Sequence, residues 1–256
     1  MYHPSLARAG VLVVLLCPVT LSAQAAAASG WRTSWSYEGA AAWGSLDPEY
    51  ATCGSGRAQS PIDITKAMTA ALPQLSFAYH PGPVRLINNG YTAVRVNYPP
   101  GNGNILTVGS VRYELTQFHF HHPSEEYLHG KPFPMAAHFM HVAKDGRVLG
   151  VAVPLIAGKA NEAVRHLWDH MPQQPGSEHD IPGLETDPSG LLPRSLAYYT
   201  YVGSQTAPPC TEGVTWIILK TPVEVSPEQV AAFARLYPHD VRPLQPLNGR
   251  VVTASH

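Results

Sequence analysis

The sequence predicts a mainly β protein made of many short strands in a single domain. Three observations point there. Its 25 prolines and 21 glycines are spread along the chain and not gathered into a linker. Between the turns they mark lie short runs of β-branched and aromatic residues, the signature of strands. Helical periodicity surfaces in only two places.

The first 25 residues stand apart from that domain. Arg8 supplies a positive charge, and Val11 to Ala23 is apolar except for Pro18, Thr20 and Ser22. Ala23-Gln24-Ala25 then gives the small-x-small pattern of a cleavage site. The run is too short to span a bilayer comfortably. The expected division is therefore a signal peptide at 1–25 and a folded domain at 26–256, with the mature protein periplasmic or secreted. Cys17 leaves with the leader. Cys53 and Cys210 remain, and two cysteines in an exported chain invite a disulfide. So long a loop would give it about 5 kcal/mol in the chain-entropy model.

Strand runs follow in order: Val84 to Ile87, Tyr91 to Tyr98, Val111 to His121, Ala136 to Ala143 and Val148 to Leu155, then Tyr198 to Tyr201 and Val214 to Lys220. Turn signals separate them at Pro81-Gly82-Pro83, Asn89-Gly90, Pro99-Pro100-Gly101 and Asp145-Gly146. One helix is expected over Asn161 to Met171, with Val164, Leu167 and Trp168 on one side. A second opens at Ser226-Pro227-Glu228-Gln229, where serine can cap, proline suits the first turn and Gln229 completes a capping box. The stretch from Pro172 to Pro193 shows no periodicity and is expected to be irregular.

The formal net charge is −1, and no basic stripe interrupts the chain, so nucleic acid is excluded as a partner. No second apolar run suggests a membrane segment once the leader is gone. There is no phosphate-cradling glycine loop, no internal repeat and no heptad pattern.

Gln117-Phe118-His119-Phe120-His121 carries the strongest chemical signal. Strand residues two apart share a face and lie roughly 6.5 Å from each other. His119 and His121 can therefore reach one ion at about 2.0–2.1 Å, while Phe118 and Phe120 face an apolar layer. A catalytic zinc takes three protein ligands and keeps one position for water. His138 and His141, in the next strand run, are candidates for the third, and alternation does not choose between them. His122, His129 and His141 otherwise read as surface groups or neighbours of the ligands. A rival pattern is the first motif of cupin barrels, in which Glu125 would be a ligand of iron or manganese. The surrounding glycine spacing and the missing second half of that pattern count against it.

At this point the chain resembles the α-class carbonic anhydrases, from Trp35 to near the C-terminus. The matching segments run in order: Trp35-Ser36-Tyr37; Cys53 and then Gln59-Ser60-Pro61-Ile62-Asp63-Ile64; Asn88-Asn89-Gly90; Gln117 to Glu125; Pro134-Met135 through His138; Gly203-Ser204; and Thr206 through Trp216 with Pro208-Pro209-Cys210. The resemblance implies a large, mostly antiparallel, twisted central sheet with a few short peripheral helices. It implies Zn²⁺ on His119, His121 and His138, and attack of zinc-bound hydroxide on carbon dioxide to give bicarbonate and a proton. It assigns Gln117 as an outer partner of a ligand, and Glu125 as the acceptor of the Thr206 hydroxyl, so that Thr206 orients the nucleophile. It also implies a pocket wall of Val148, Met140, Val214 and Trp216, a Cys53–Cys210 disulfide, and binding of anions and sulfonamides at the Thr206 N–H. Bacterial relatives suggest a homodimer.

Several positions depart from the family pattern. Tyr91 stands where a proton-shuttle histidine is usual, and a phenol near pKa 10 cannot accept a proton at neutral pH. Ala136 stands where a glutamate normally receives the N–H of a ligand histidine, and Glu126 replaces a histidine. One expectation is a swap, in which Glu126 takes over that role; the other is a solvated Glu126 and a slightly looser site. Gln205 and Ala207 replace leucine and threonine beside Thr206, altering the pocket rim. The alternatives to an active enzyme are a catalytically silent relative that only binds and, further off, a cupin-like metalloenzyme.

Overall fold

The computed structural model describes Met1 and residues 35–91 and 94–256. Met1 apart, the expected leader and its Cys17 lie outside the described residues, as do Thr92 and Ala93. Trp35–His256 forms one compact unit.

The strands that frame the interior are β1 (Gly82–Ile87), β2 (Arg95–Asn97), β3 (Val111–His121), β4 (Met135–Ala143), β5 (Val148–Ala157), β6 (Glu178–Thr186), β7 (Tyr198–Ser204) and β8 (Glu212–Leu219). They belong to a 13-stranded sheet in the order β6-β1-β2-β3-β4-β5-β8-β7, continued by Thr253–Ala254 and Met68–Thr69. Neighbours are antiparallel from β6 through β5 and again at β8–β7. The seam between β5 and β8 is parallel. The architecture is thus the mainly β, mostly antiparallel one expected. A second sheet pairs Asp63–Ile64, Tyr127–Leu128 and Lys131–Pro132.

Alternation along the strands builds a different layer on each face. Phe118, Phe120, Phe139 and Val151 point to one side and pack with Leu167 of α1 (Glu162–Trp168) and Phe233 of α2 (Pro227–Ala234). Each such side chain contributes about 1.5–3 kcal/mol by leaving water. A smaller cluster of Ile62, Ile64, Val214, Trp216 and Ile218 covers the other face. Both helices start as the sequence predicts. Asn161 accepts the Val164 N–H at 3.1 Å. In α2, Ser226 Oγ accepts the Gln229 N–H at 3.2 Å while Gln229 Oε1 accepts the Ser226 N–H at 2.9 Å, a reciprocal capping box. Gln229 Oε1 also accepts the Asn161 N–H at 2.9 Å, tying the two helix starts together. The β4–β5 reversal uses Asp145-Gly146, with Gly146 at φ 85°, a backbone region open to glycine and strained for other residues.

Two expectations need correction. The stretch 172–193 is not irregular throughout: β6 occupies Glu178–Thr186 and a 3₁₀ turn follows at Pro188–Leu191. Pairing with β1 supplies the hydrogen-bond partners, and a register break between Asp180 and Glu185, spanning Pro182 and Gly183, destroys the two-residue period. The strand expected over Tyr91 to Tyr98 is β2, shortened to Arg95–Asn97. Among the described residues no helix is long and apolar enough to cross a membrane.

Candidate metal centre

β3 and β4 pair so that His138 lies directly opposite His119, and Ala136 opposite His121. Gln117, His119 and His121 share one face of β3, away from the buried Phe118 and Phe120. Register puts His138, and not His141, with the pair. A shift between Met140 and His141 absorbs Thr116 as an extra residue on β3, and His141 then sits opposite the core residue Leu115. His141 is fully buried behind the sheet. Its Nε2 lies 2.5 Å from the Tyr79 hydroxyl, and its Nδ1 is 3.3 Å from the Leu149 carbonyl oxygen. Burial pulls its pKa down to about 4. It is therefore neither a surface group nor a neighbour of the ligands, as had been expected.

The candidate ligand nitrogens of His119, His121 and His138 lie within 4.8 Å of one another. Each ring spends its N–H on an outward partner. His119 Nδ1 donates to Gln117 Oε1 at 2.8 Å, and His121 Nδ1 donates to the Asp240 carbonyl oxygen at 2.7 Å. His138 Nε2 donates to Glu126 Oε1 at 2.7 Å. That network fixes the tautomers and leaves a lone pair on each remaining nitrogen. The Nε2 atoms of His119 and His121 are only 3.0 Å apart, and His138 Nδ1 is buried with no hydrogen-bond partner. Three converging nitrogens, each with its ring's other nitrogen hydrogen-bonded outward, suit a cation. Burial, then the neighbouring imidazoles, hold His119 and His121 far below the usual histidine range, so both are neutral and ready to ligate. Burial also opposes charge on His138, but the Glu126 and Glu125 carboxylates outweigh it and raise its pKa.

Glu125 lies beside the cluster, with Oε2 3.6 Å from His121 Nε2 and 3.9 Å from His138 Nδ1. Its Oε1 accepts the Arg242 backbone N–H at 2.9 Å. Burial lifts its pKa to about 7, against the pull of His138, the Arg242 N–H and the Thr206 hydroxyl. Glu126 approaches His138 from the loop after β3, and Ala136, on the same face of β4 as His138, is a buried methyl.

Met140, Val148, Val214 and Trp216 fall in one apolar cluster on the histidine side of the sheet, with the Trp216 ring 4.9 Å from that of His138. A Cβ at Gly150 would meet the Trp216 ring at 2.7 Å, so glycine there is what lets the indole lie across β5. Trp216 Nε1 donates to the Ser204 carbonyl oxygen at 2.9 Å. Thr206 is buried, and Gln205 and Ala207 are half-buried on either side of it. Cys53 and Cys210 are joined across 157 residues, and the Cys210 N–H donates to the Ala207 carbonyl oxygen at 2.9 Å, so the bridge anchors the loop that bears Thr206. Tyr91 stacks on Trp35 with ring centroids 3.7 Å apart and planes 1° from parallel. Burial raises its pKa.

Sequence reasoning missed several supports. The carbonyl of Asp240 orients His121, and a main-chain group leaves no residue-type signal. Arg242 donates through its guanidinium to the carbonyls of Ser60 (2.8 Å) and Cys53 (3.0 Å), tying the N-terminal segment to Glu125. Tyr37, inside a motif already singled out, puts its ring 6.3 Å from His121.

Three convergent imidazoles on a sheet face, with a buried carboxylate beside them and an apolar cluster next to them, form a group that could hold a metal ion. The chain belongs to the eukaryotic-type carbonic anhydrase family, whose model matches residues 38–256. It is 42% identical over 252 residues to a carbonic anhydrase of Neisseria gonorrhoeae, covering 97% of each chain. An α-carbonic anhydrase of Thermovibrio ammonificans, solved with the inhibitor sulfanilamide, superposes with a TM-score of 0.81 at 40% identity over 86% of this chain and 98% of its own. Dioscorin DB3S of Dioscorea polystachya is 36% identical over 82% of this chain and 81% of its own. The reaction is the reversible hydration of carbon dioxide to bicarbonate and a proton.

Proposed function

We propose that the resident ion is Zn²⁺, held by His119 and His121 through Nε2 and by His138 through Nδ1, in an enzyme exported to the periplasm or beyond. The observation that carries this is the set of three inward lone pairs whose N–H groups are all committed elsewhere. Zinc, when bound, supplies the Lewis acidity that brings a water's ionisation near neutrality. Gln117, the Asp240 carbonyl and Glu126 keep the three rings turned inward. Glu125, whose Oε2 is buried with no hydrogen-bond partner, is the expected acceptor of the Thr206 hydroxyl proton, which would leave Thr206 Oγ1 only able to accept. A nucleophile with a proton to donate is thereby selected and aimed. Val148, Met140, Val214 and Trp216 exclude water and receive an uncharged substrate, while Gln205 and Ala207 shape the rim. The Thr206 N–H is the expected contact for anions and sulfonamides. The leader at 1–25 and the Cys53–Cys210 bridge support export, and a homodimer is expected.

The test is zinc content and carbon dioxide hydration measured on one sample of mature protein, with His138→Ala alongside. One zinc per active chain, and loss of both in the variant, is expected. Activity without zinc overturns the reading. Zinc without hydration turns it into the silent, binding-only relative.

A further inference from the structure

Arg95 lies directly across from His119 in the β2–β3 ladder, and Asn97 lies across from Gln117. Residues paired in this way project from the same face, so Arg95 joins the wall on which the histidines stand. It is half-buried. Its Nε donates to Asn97 Oδ1 at 2.9 Å, which fixes the plane of the guanidinium. Among the described residues no carboxylate pairs with it, and its two terminal NH₂ groups make no hydrogen bond. An enclosed, oriented and unpaired fork is matched by a planar oxyanion, whose two oxygens it can bind side by side.

We propose that Arg95 is an anion subsite in the wall of the cleft, taking small planar oxyanions: bicarbonate, the product, and monocarboxylates of like shape. It rests on the proposed function only for which anion is physiological. The neutral substrate gains nothing from the cation, so the subsite discriminates between the two sides of the reaction and tunes how long bicarbonate stays.

The experiment is calorimetric titration of sodium acetate and sodium bicarbonate into metal-loaded and metal-free protein at low ionic strength, with unfolding temperature followed for each variant. Arg95→Gln is expected to weaken both anions about tenfold in both forms, since hydrogen bonds to charged groups are worth that factor or more. Arg95→Lys keeps the charge and loses the fork, and should fall between. Wild-type affinity in a folded Arg95→Gln protein overturns the proposal. If that variant does not fold, wild-type affinity in Arg95→Lys overturns it instead. Absence of carbon dioxide hydration in the wild type would refute the proposed function and leave the metal-free titration to decide this one.

Discussion

Replacing Glu126 by glutamine isolates the least expected contact of the site. Glu126 Oε1 and His138 Nε2 are 2.7 Å apart, and both side chains are buried, so a carboxylate here meets the imidazole N–H with almost no solvent screening. Outer partners of metal-bound histidines are typically worth 10–100-fold in metal affinity, about 1.4–2.7 kcal/mol. Glutamine keeps an oxygen at the same reach and loses the charge, so Glu126→Gln should weaken zinc near the lower end, roughly tenfold. Glu126→Ala also strands the buried N–H and should approach the upper end. Competition for zinc against a chelator of known affinity reads both, with hydration rate on the same samples. Ala136 shares a face with His138, two residues away, so adding Ala136→Glu to Glu126→Gln should return much of the lost affinity by supplying a carboxylate from the neighbouring position. Zinc affinity unchanged in Glu126→Gln refutes the assignment, whatever happens to the rate.

The stacked Tyr91 phenol titrates above its ordinary value of 10, so it stays protonated across the neutral range and can take no proton from the site. Hydration should accordingly depend on small imidazole-type buffers and show no inflection from Tyr91 between pH 6 and 9. Stopped-flow assays of Tyr91→His should lose most of that buffer dependence, and a wild type indifferent to buffer would contradict the account. Removing the bridge with Cys53→Ser and Cys210→Ser frees a loop of 157 residues, at a cost of up to about 5 kcal/mol in unfolding free energy. Denaturant unfolding measures that cost. The rate should fall as well, because Cys210 steadies the turn carrying Thr206.

How much of this was legible depends on whether the information is local. The His119-x-His121 pair could be read because alternation is a property of one strand. The choice of His138 over His141 could not, because it turns on a register shift between β3 and β4 that leaves no mark in either run. Gln117 was readable as a neighbour two residues from His119, but the Asp240 carbonyl that steers His121 is backbone, and any residue could supply it. β6 escaped notice because Pro182 and Gly183 interrupt the very period by which strands are recognised. The same reasoning explains Arg95. In Val94-Arg95-Val96-Asn97 the arginine reads as the solvent-facing half of an alternating strand, and on an outer edge it would be one. β2, however, lies inside the sheet between β1 and β3, so its polar face opens onto the metal cleft and not onto bulk water. A charge that costs nothing at a surface is there held by Asn97 with no carboxylate beside it among the described residues, and its position next to His119 follows from strand pairing, which a single run does not reveal.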